Sequence, residues 1–389
     1  MTSKSSHTPA SQTVAAVQRL HQARHAADLR DNLRNHYPAF DVERIGEIAI
    51  VGAAGEGVRL AGLCRDQGIK IAIVADDHPA KIGTEVAGQQ VRPVASLQEI
   101  DRSIPIVIAS HRVLGATQRL RSLGFKTVLP FAALQTMAPD RFPPHMFYDG
   151  LLDDLWQNRD RYALLFDRLA DDRSRDVLNA VLGFRQTLDA SSLSPVLDDD
   201  DLYAPKNLIQ FSDHEVYVDG GSYDGDTIRS FAKKVHGRFD RVYAFEPDPV
   251  TYRTLQSNFA AEPRVEPIHA GLHREKGVLR FKDDGSRGAI FASDGTITMP
   301  VTSLDDVLGQ KPVTYIKMNI EGAEIDALYG AEQAIRRERP KLAISVYHRP
   351  SDLWRIPDIV GQFSADYRLF LRQHDGGIIE TVLYAIAKP

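Results

Sequence analysis

The chain has 389 residues, a length that suits two or three domains at about 150 residues each. Its 43% hydrophobic content excludes a disordered chain. With 47 Lys plus Arg against 52 Asp plus Glu and no block of like basic residues, the charge pattern argues against a nucleic-acid binder. A single cysteine, Cys64, excludes an intrachain disulfide and a cysteine-rich zinc site. The polar stretch Met1–Pro9 lacks an apolar core of the signal-peptide kind, and no run of about 18 apolar residues could span a membrane. The expectation is a soluble, cytoplasmic, multi-domain protein.

After a polar start, Val14, Val17 and Leu20 recur at helical spacing, and the pattern predicts one helix over Thr13–Leu33. Residues 1–42 are read as a tail and a docking or homo-oligomerising helix without chemistry. From Glu47 the pattern changes to short apolar runs separated by helical stretches. Strands are expected at Ile48–Val51, Ile69–Val74, Ile106–Ala109 and Lys126–Leu129, with helices at Val58–Gln67 and Gly115–Leu123. This alternation predicts a parallel sheet covered by helices, over about 43–140. Gly83 and Gly88 read as ordinary turn residues, and Cys64 as a small core residue.

Pro139, Pro143 and Pro144 break regular structure and mark a linker. Beyond it, 141–212 is read as a helical connector that packs and shares in shaping a substrate pocket. Its run Asp198–Asp201 is expected to be a solvated loop, because four adjacent carboxylates repel one another. A second alternating region, 213–389, carries strands at Glu215–Asp219, Arg241–Glu246, Arg264–His269, Val313–Asn319 and Lys341–His348. Helices begin near Asp226, Pro249, Ser303 and Glu324. Tyr367–Arg372 and Thr381–Ala387, joined by a short stretch holding His374-Asp-Gly-Gly, must pair antiparallel.

Chemistry concentrates in this second region. Its first strand runs into Gly220-Gly-Ser-Tyr-Asp-Gly225, where glycine permits a sharp turn and close approach of a ligand to the backbone. The loop is neither the spaced dinucleotide fingerprint nor a P-loop. Asp219 at the strand end would repel a pyrophosphate but suits an ammonium group. The second strand ends at Glu246, 27 residues after Asp219, where a carboxylate can accept hydrogen bonds from the two hydroxyls of a ribose. A solvated strand-end charge is the plainer reading, but the spacing favours a nucleoside site with a cationic neighbour. S-adenosylmethionine, with its ribose, amino-acid tail and sulfonium, fits.

The stretches Val218–Thr227, Phe245-Glu-Pro-Asp248, Thr302–Asp306, Ile316–Glu324, Tyr347–Trp354 and Glu380–Tyr384 together resemble the FkbM family of S-adenosylmethionine-dependent methyltransferases, over about Glu215–Pro389. The resemblance implies a class I seven-stranded methyltransferase fold closed by the antiparallel hairpin. It also implies O-methylation of a hydroxyl on a sugar, a polyketide or another natural product. It carries Asp219, Gly220, Gly221 and Gly225 over to the cofactor loop, Thr227 to the methionine carboxylate at the helix start, and Glu246 with Pro247 to the ribose. Tyr223 stands where the family often has Asn, so stacking would replace a polar contact. Asn319 stands where it often has Asp, which weakens a metal or general-base role there; no metal ligand is assigned. Glu321 and Glu324 remain.

His348 ends the fifth parallel strand on the cofactor edge, where a neutral imidazole could take the acceptor's proton near pH 7. Glu321 would orient the ring or serve as the base itself. The plainer alternative is a histidine that orders the Arg349-Pro350 turn. In the first region, Val51-Gly-Ala-Ala-Gly-Glu-Gly57 and Asp76-Asp77 resemble a Rossmann-type nucleotide domain of the kind that precedes some sugar-modifying enzymes. Its glycine order departs from the dinucleotide fingerprint, and Glu56 would oppose a phosphate. The expected acceptor is a small molecule or saccharide. A nucleotide-sugar oxidoreductase and an inactive, cofactor-binding assembly protein are the competing readings.

Overall fold

A computed structural model describes residues 15–283, 289–291 and 296–388. The chain divides into two compact units. One holds Met1–Asp167, Asp171–Leu197 and Asp375–Ile379; the other holds Arg168–Ala170, Asp198–His374 and Glu380–Pro389. Among the described residues no helix is long and apolar enough to cross a membrane.

In the first unit the apolar runs form β1 (Glu47–Val51), β2 (Lys70–Ala75), β5 (Ile106–Ile108) and β6 (Val128–Pro130). Together with β3 (Glu85–Val86) and β4 (Gln89–Arg92) they build a six-stranded sheet in the order β3-β4-β2-β1-β5-β6. Every pairing is parallel except β3 with β4. That small hairpin was not expected. It turns on Ala87 and Gly88, whose φ angles of 49° and 81° are both positive, as a two-residue hairpin turn of primed type demands.

The expected helix over 13–33 is corrected. Thr13 and Val14 lie outside the described residues, and the rest divides into α1 (Ala15–Gln22) and α2 (Ala26–His36). Asp28 causes the break. Its carboxylate accepts the backbone N–H groups of Arg24 (2.7 Å) and His25 (3.3 Å), so a residue read as polar helix face caps a new helix instead. α1 docks within its own unit: Gln186 Nε2 donates to the Ala16 carbonyl at 3.2 Å, and Ala16 N–H donates to Asn179 at 3.0 Å. The remaining helices of this part are α3 (Gly55–Asp66), α4 (Leu114–Ser122), α5 (Phe131–Met137), α6 (Leu151–Gln157), α7 (Arg159–Arg168) and α8 (Asp172–Thr187). Cys64 is buried on α3, and burial pushes its thiol up to about 12.

The second unit is built on a seven-stranded sheet of β7 (Val216–Gly220), β8 (Arg241–Phe245), β9 (Val265–Ile268), β14 (Tyr315–Met318), β15 (Lys341–Ser345), β16 (Tyr367–Gln373) and β17 (Thr381–Ala387). The order is β16-β17-β15-β14-β7-β8-β9, with β17 antiparallel to both of its neighbours and the other pairs parallel. This mixed sheet is consistent with a class I methyltransferase fold. Its core stacks Tyr217 on Tyr315, ring centroids 4.8 Å apart, a pairing worth about 0.5–1.5 kcal/mol beyond the buried area. The helices are α9 (Asp226–Lys234), α10 (Pro249–Asn258), α11 (Leu304–Leu308), α12 (Glu324–Tyr329), α13 (Glu332–Glu338) and α14 (Asp352–Phe363).

A smaller sheet was not expected: β10 (Gly271–Leu272), β11 (Gly277–Asp283), β12 (Ala289–Phe291) and β13 (Ile297–Thr302), in the order β10-β13-β11-β12. The acidic run is a loop, as expected, with Asp199 and Asp201 exposed. Asp198 faces Arg372 Nε at 3.5 Å, Asp200 accepts the Lys206 N–H at 2.7 Å, and Asp201 pairs with Lys234. Cations and backbone donors offset part of the repulsion among these neighbouring carboxylates.

Candidate active site

In the larger sheet the strand order reverses between β7 and β14, and ligands of open α/β sheets bind beyond the carboxyl ends of strands at such a point. Four of those ends carry the candidate residues: Asp219–Gly225 at the end of β7 and in the loop beyond it, Glu246 and Pro247 after β8, Asn319–Glu324 after β14 and His348 after β15.

The β7 loop is pinned from two sides. Gly221 and Ser222 both donate their N–H groups to the Phe245 carbonyl, at 3.1 and 3.0 Å. Gly221 has φ +77°, and a Cβ there would collide with the Asn319 carbonyl oxygen. A Cβ on Gly225 would strike the Phe259 ring, and one on Gly220 would lie 2.9 Å from Leu272 Cδ1. Pro247 packs 3.6 Å from where a Gly271 Cβ would lie. Tyr223 takes φ +50°, unusual for a bulky residue, and leaves its side chain 44% exposed at the mouth of the loop.

Glu246 is buried, and each of its carboxylate oxygens accepts one backbone N–H: Tyr223 at 3.0 Å and Asp248 at 2.9 Å. Burial raises its pKa to about 7, against the two N–H donors that lower it. A carboxylate has about four acceptor sites, so two remain for a diol. Asp219 is placed differently from a group waiting for an ammonium ligand. It is fully buried, 3.0 Å from Lys317 Nζ, and accepts the Thr227 hydroxyl at 2.5 Å. Thr227 N–H meanwhile donates to Asp226 at 2.7 Å.

The other half of the edge is an acid–base cluster. His348 is buried, with Nδ1 2.9 Å from Glu324 and Nε2 3.7 Å from Glu321. Glu324 is equally buried and also accepts the Ile320 N–H at 2.8 Å. Burial alone would lower the pKa of His348, but Glu324 and Glu321 outweigh it and hold it up at about 9. The two carboxylates thus push His348 toward the imidazolium at neutral pH, against the neutral proton acceptor expected from the sequence. Burial opposes ionisation of Glu324 as well, yet His348 holds its carboxyl below the ordinary range. Glu321, with φ +54° and a side chain 39% exposed, is the carboxylate at the mouth. Asn319 Oδ1 accepts the Tyr347 hydroxyl at 3.2 Å. Among the described residues no group of three or more His, Cys, Asp or Glu side chains is arranged to hold a metal ion.

Three participants were missed. Lys317 lies inside a motif that was noticed, but a lysine in a buried strand gives no signal of its partners. Asp352, buried and pushed up to about 7 by burial and by Glu324, has its carboxylate capped by the Arg349 N–H at 2.8 Å. Tyr347 sets its ring 4.3 Å from that of His348.

Residues 219–375 match the family model described as Methyltransferase FkbM domain. The crystal structure of Methyltransferase FkbM from Methylobacillus flagellatus KT matches with TM-score 0.72 at 25% identity, over 97% of this chain and 98% of that one. A further stretch is 32% identical over 103 residues to the redox-sensing transcriptional repressor Rex of Roseiflexus sp. (strain RS-1), covering 24% of this chain and 46% of the repressor. The chain thus spans less than half the length of that relative.

Proposed function

We propose that the chain, whose residues 219–375 match the FkbM methyltransferase family model, is an S-adenosylmethionine-dependent methyltransferase that methylates a hydroxyl group of a sugar, a nucleotide-linked sugar or another natural product. The observation that carries the cofactor side is Glu246, a buried carboxylate at a strand tip with its two backbone donors in place and acceptor capacity left over. Gly221, where any Cβ would strike the Asn319 carbonyl oxygen, lets the β7 loop close against the β14 end beside that carboxylate. Glu246 would hold the ribose hydroxyls, the loop from Gly220 to Gly225 the amino-acid tail, and the exposed ring of Tyr223 would cover the ligand. When bound, S-adenosylmethionine supplies an electrophilic methyl group on a sulfonium.

The protein's own share is positioning and proton removal. An aliphatic hydroxyl is a poor nucleophile, so a base that takes its proton as the carbon–oxygen bond forms lowers the barrier. An imidazolium cannot do this, and Glu321 is the acceptor in our reading. His348, clamped by Glu324, orients the Glu321 carboxylate. Asn319, its oxygen held by Tyr347, presents its amide N–H groups to the acceptor. Alignment of the oxygen with the methyl carbon and sulfur supplies much of the acceleration.

In the same proposal the six-stranded sheet is a Rossmann-like accessory domain. Its strand order reverses between β1 and β5, and Asp76 at the end of β2 accepts the Ala53 N–H of the glycine loop at 2.8 Å. Calorimetry with S-adenosylhomocysteine, followed by a methyl-transfer screen against free and nucleotide-linked sugars, tests the reading. No binding would remove it, and binding with turnover only on non-hydroxyl acceptors would remove the O-methylation part.

A further inference from the structure

We infer that Lys317 is a positioning residue of the cofactor site, a buried ammonium that sets the shape of the β7 loop through the loop's own carbonyl oxygens. The inference rests on the S-adenosylmethionine reading of that loop. Lys317 lies in the middle of the sheet, in register with Asp219 across the β7–β14 pairing, and is 2% exposed. Its Nζ lies 3.0 Å from Asp219 Oδ1 and donates to the carbonyl oxygens of Gly220 at 3.1 Å and Gly221 at 2.9 Å. An ammonium has three N–H donors, and these three acceptors account for them.

The Tyr203 ring stands 5.3 Å from the same nitrogen. That tyrosine is held in place from below: its carbonyl accepts the Tyr315 hydroxyl at 2.6 Å, and its N–H donates to the Tyr384 hydroxyl at 3.2 Å. Its φ is +68°, in the left-handed region that a bulky residue seldom takes.

A buried ion pair is weak evidence for stability, because well-packed apolar residues often serve the fold as well or better. What an apolar side chain cannot do is orient two consecutive carbonyls. With the Gly221 and Ser222 N–H groups tied to Phe245 and the Gly220 and Gly221 oxygens tied to Lys317, both sides of the turn are fixed. The next residue, Tyr223, then delivers its N–H to Glu246. Lys317 acts on the ligand through this chain of contacts.

The test separates orientation from charge balance. Lys317→Met alone leaves the Asp219 carboxylate buried without its cation and is exposed to misfolding. The comparison is therefore between Asp219→Asn and the double variant Asp219→Asn/Lys317→Met, each measured for melting temperature and for the Kd of S-adenosylhomocysteine by calorimetry. The double variant should melt within a few degrees of the single one yet bind roughly tenfold or more weakly, the scale for lost hydrogen bonds from a charged donor. Equal affinities would overturn the inference alone, as would a double variant that melts far below the single one, since Lys317 would then be a stability element. Failure of the unaltered chain to bind would overturn the cofactor reading and this inference with it.

Discussion

Cofactor affinity should fall about tenfold when the pH is lowered from 8 to 6, and Glu246 is the reason. Burial raises its pKa to about 7 in the ligand-free protein. A ribose diol donates two hydrogen bonds, so the competent form is the carboxylate. At pH 8 about nine-tenths of the molecules carry it; at pH 6 about one-tenth do, and apparent affinity scales with that fraction. The same shift has a stability counterpart. The folded-state pKa lies above the unfolded one, so the protonated carboxyl stabilises the ligand-free fold at low pH, and that contribution is lost as pH rises through about 7. Ligand and ligand-free fold therefore prefer opposite protonation states of one side chain. Glu246→Gln removes the titration. It should bind S-adenosylhomocysteine more weakly at pH 8 by roughly 1.5–3 kcal/mol, the value of a charged acceptor, and lose the pH slope between 6 and 8. Calorimetry of both proteins at pH 6, 7 and 8 measures this. A wild-type affinity flat across that range, or a variant that keeps the slope, would refute the assignment of Glu246 to the ribose.

Other outcomes follow from the same edge of the sheet. Glu321→Gln should reduce turnover by about a hundredfold or more while leaving the Kd for S-adenosylhomocysteine within about twofold, as expected for a base that does not touch the cofactor. His348→Gln should lower kcat with less effect on cofactor affinity. Because the folded pKa of about 9 lies above the unfolded value, it should also abolish a stability contribution that the wild type holds below about pH 6.5 and loses as pH rises through 9, visible as a pH-dependent Tm. Gly221→Ala should abolish cofactor binding, because the new Cβ collides with the Asn319 carbonyl and the loop must move; unchanged affinity would show that the loop does not meet the ligand.

What could be read from the chain depended on whether a residue's role is local. The β7 loop and Glu246 were legible because a glycine turn after an apolar run and a carboxylate at the next strand end are features of neighbouring residues, and the order of strands then brings them together. The break before α2 was hidden because no glycine or proline punctuates residues 15–36, and only the Asp28 carboxylate's reach back to Arg24 and His25 reveals the stop. The β10–β13 sheet was hidden for a different reason. Val278 on β11 is 67% exposed, so apolar alternation does not mark that strand as half-buried. The protonation state of His348 could not be read at all. Counting residues puts Glu324 24 positions away, and the sheet brings it to 2.9 Å. A histidine alone at a strand end is a plausible neutral base; the same histidine beside two carboxylates is pushed toward the cation. The chemistry of this edge is thus set less by which titratable residues it contains than by which pairs the β14 and β15 ends bring into contact. By that logic we propose as proton acceptor the more exposed carboxylate, Glu321.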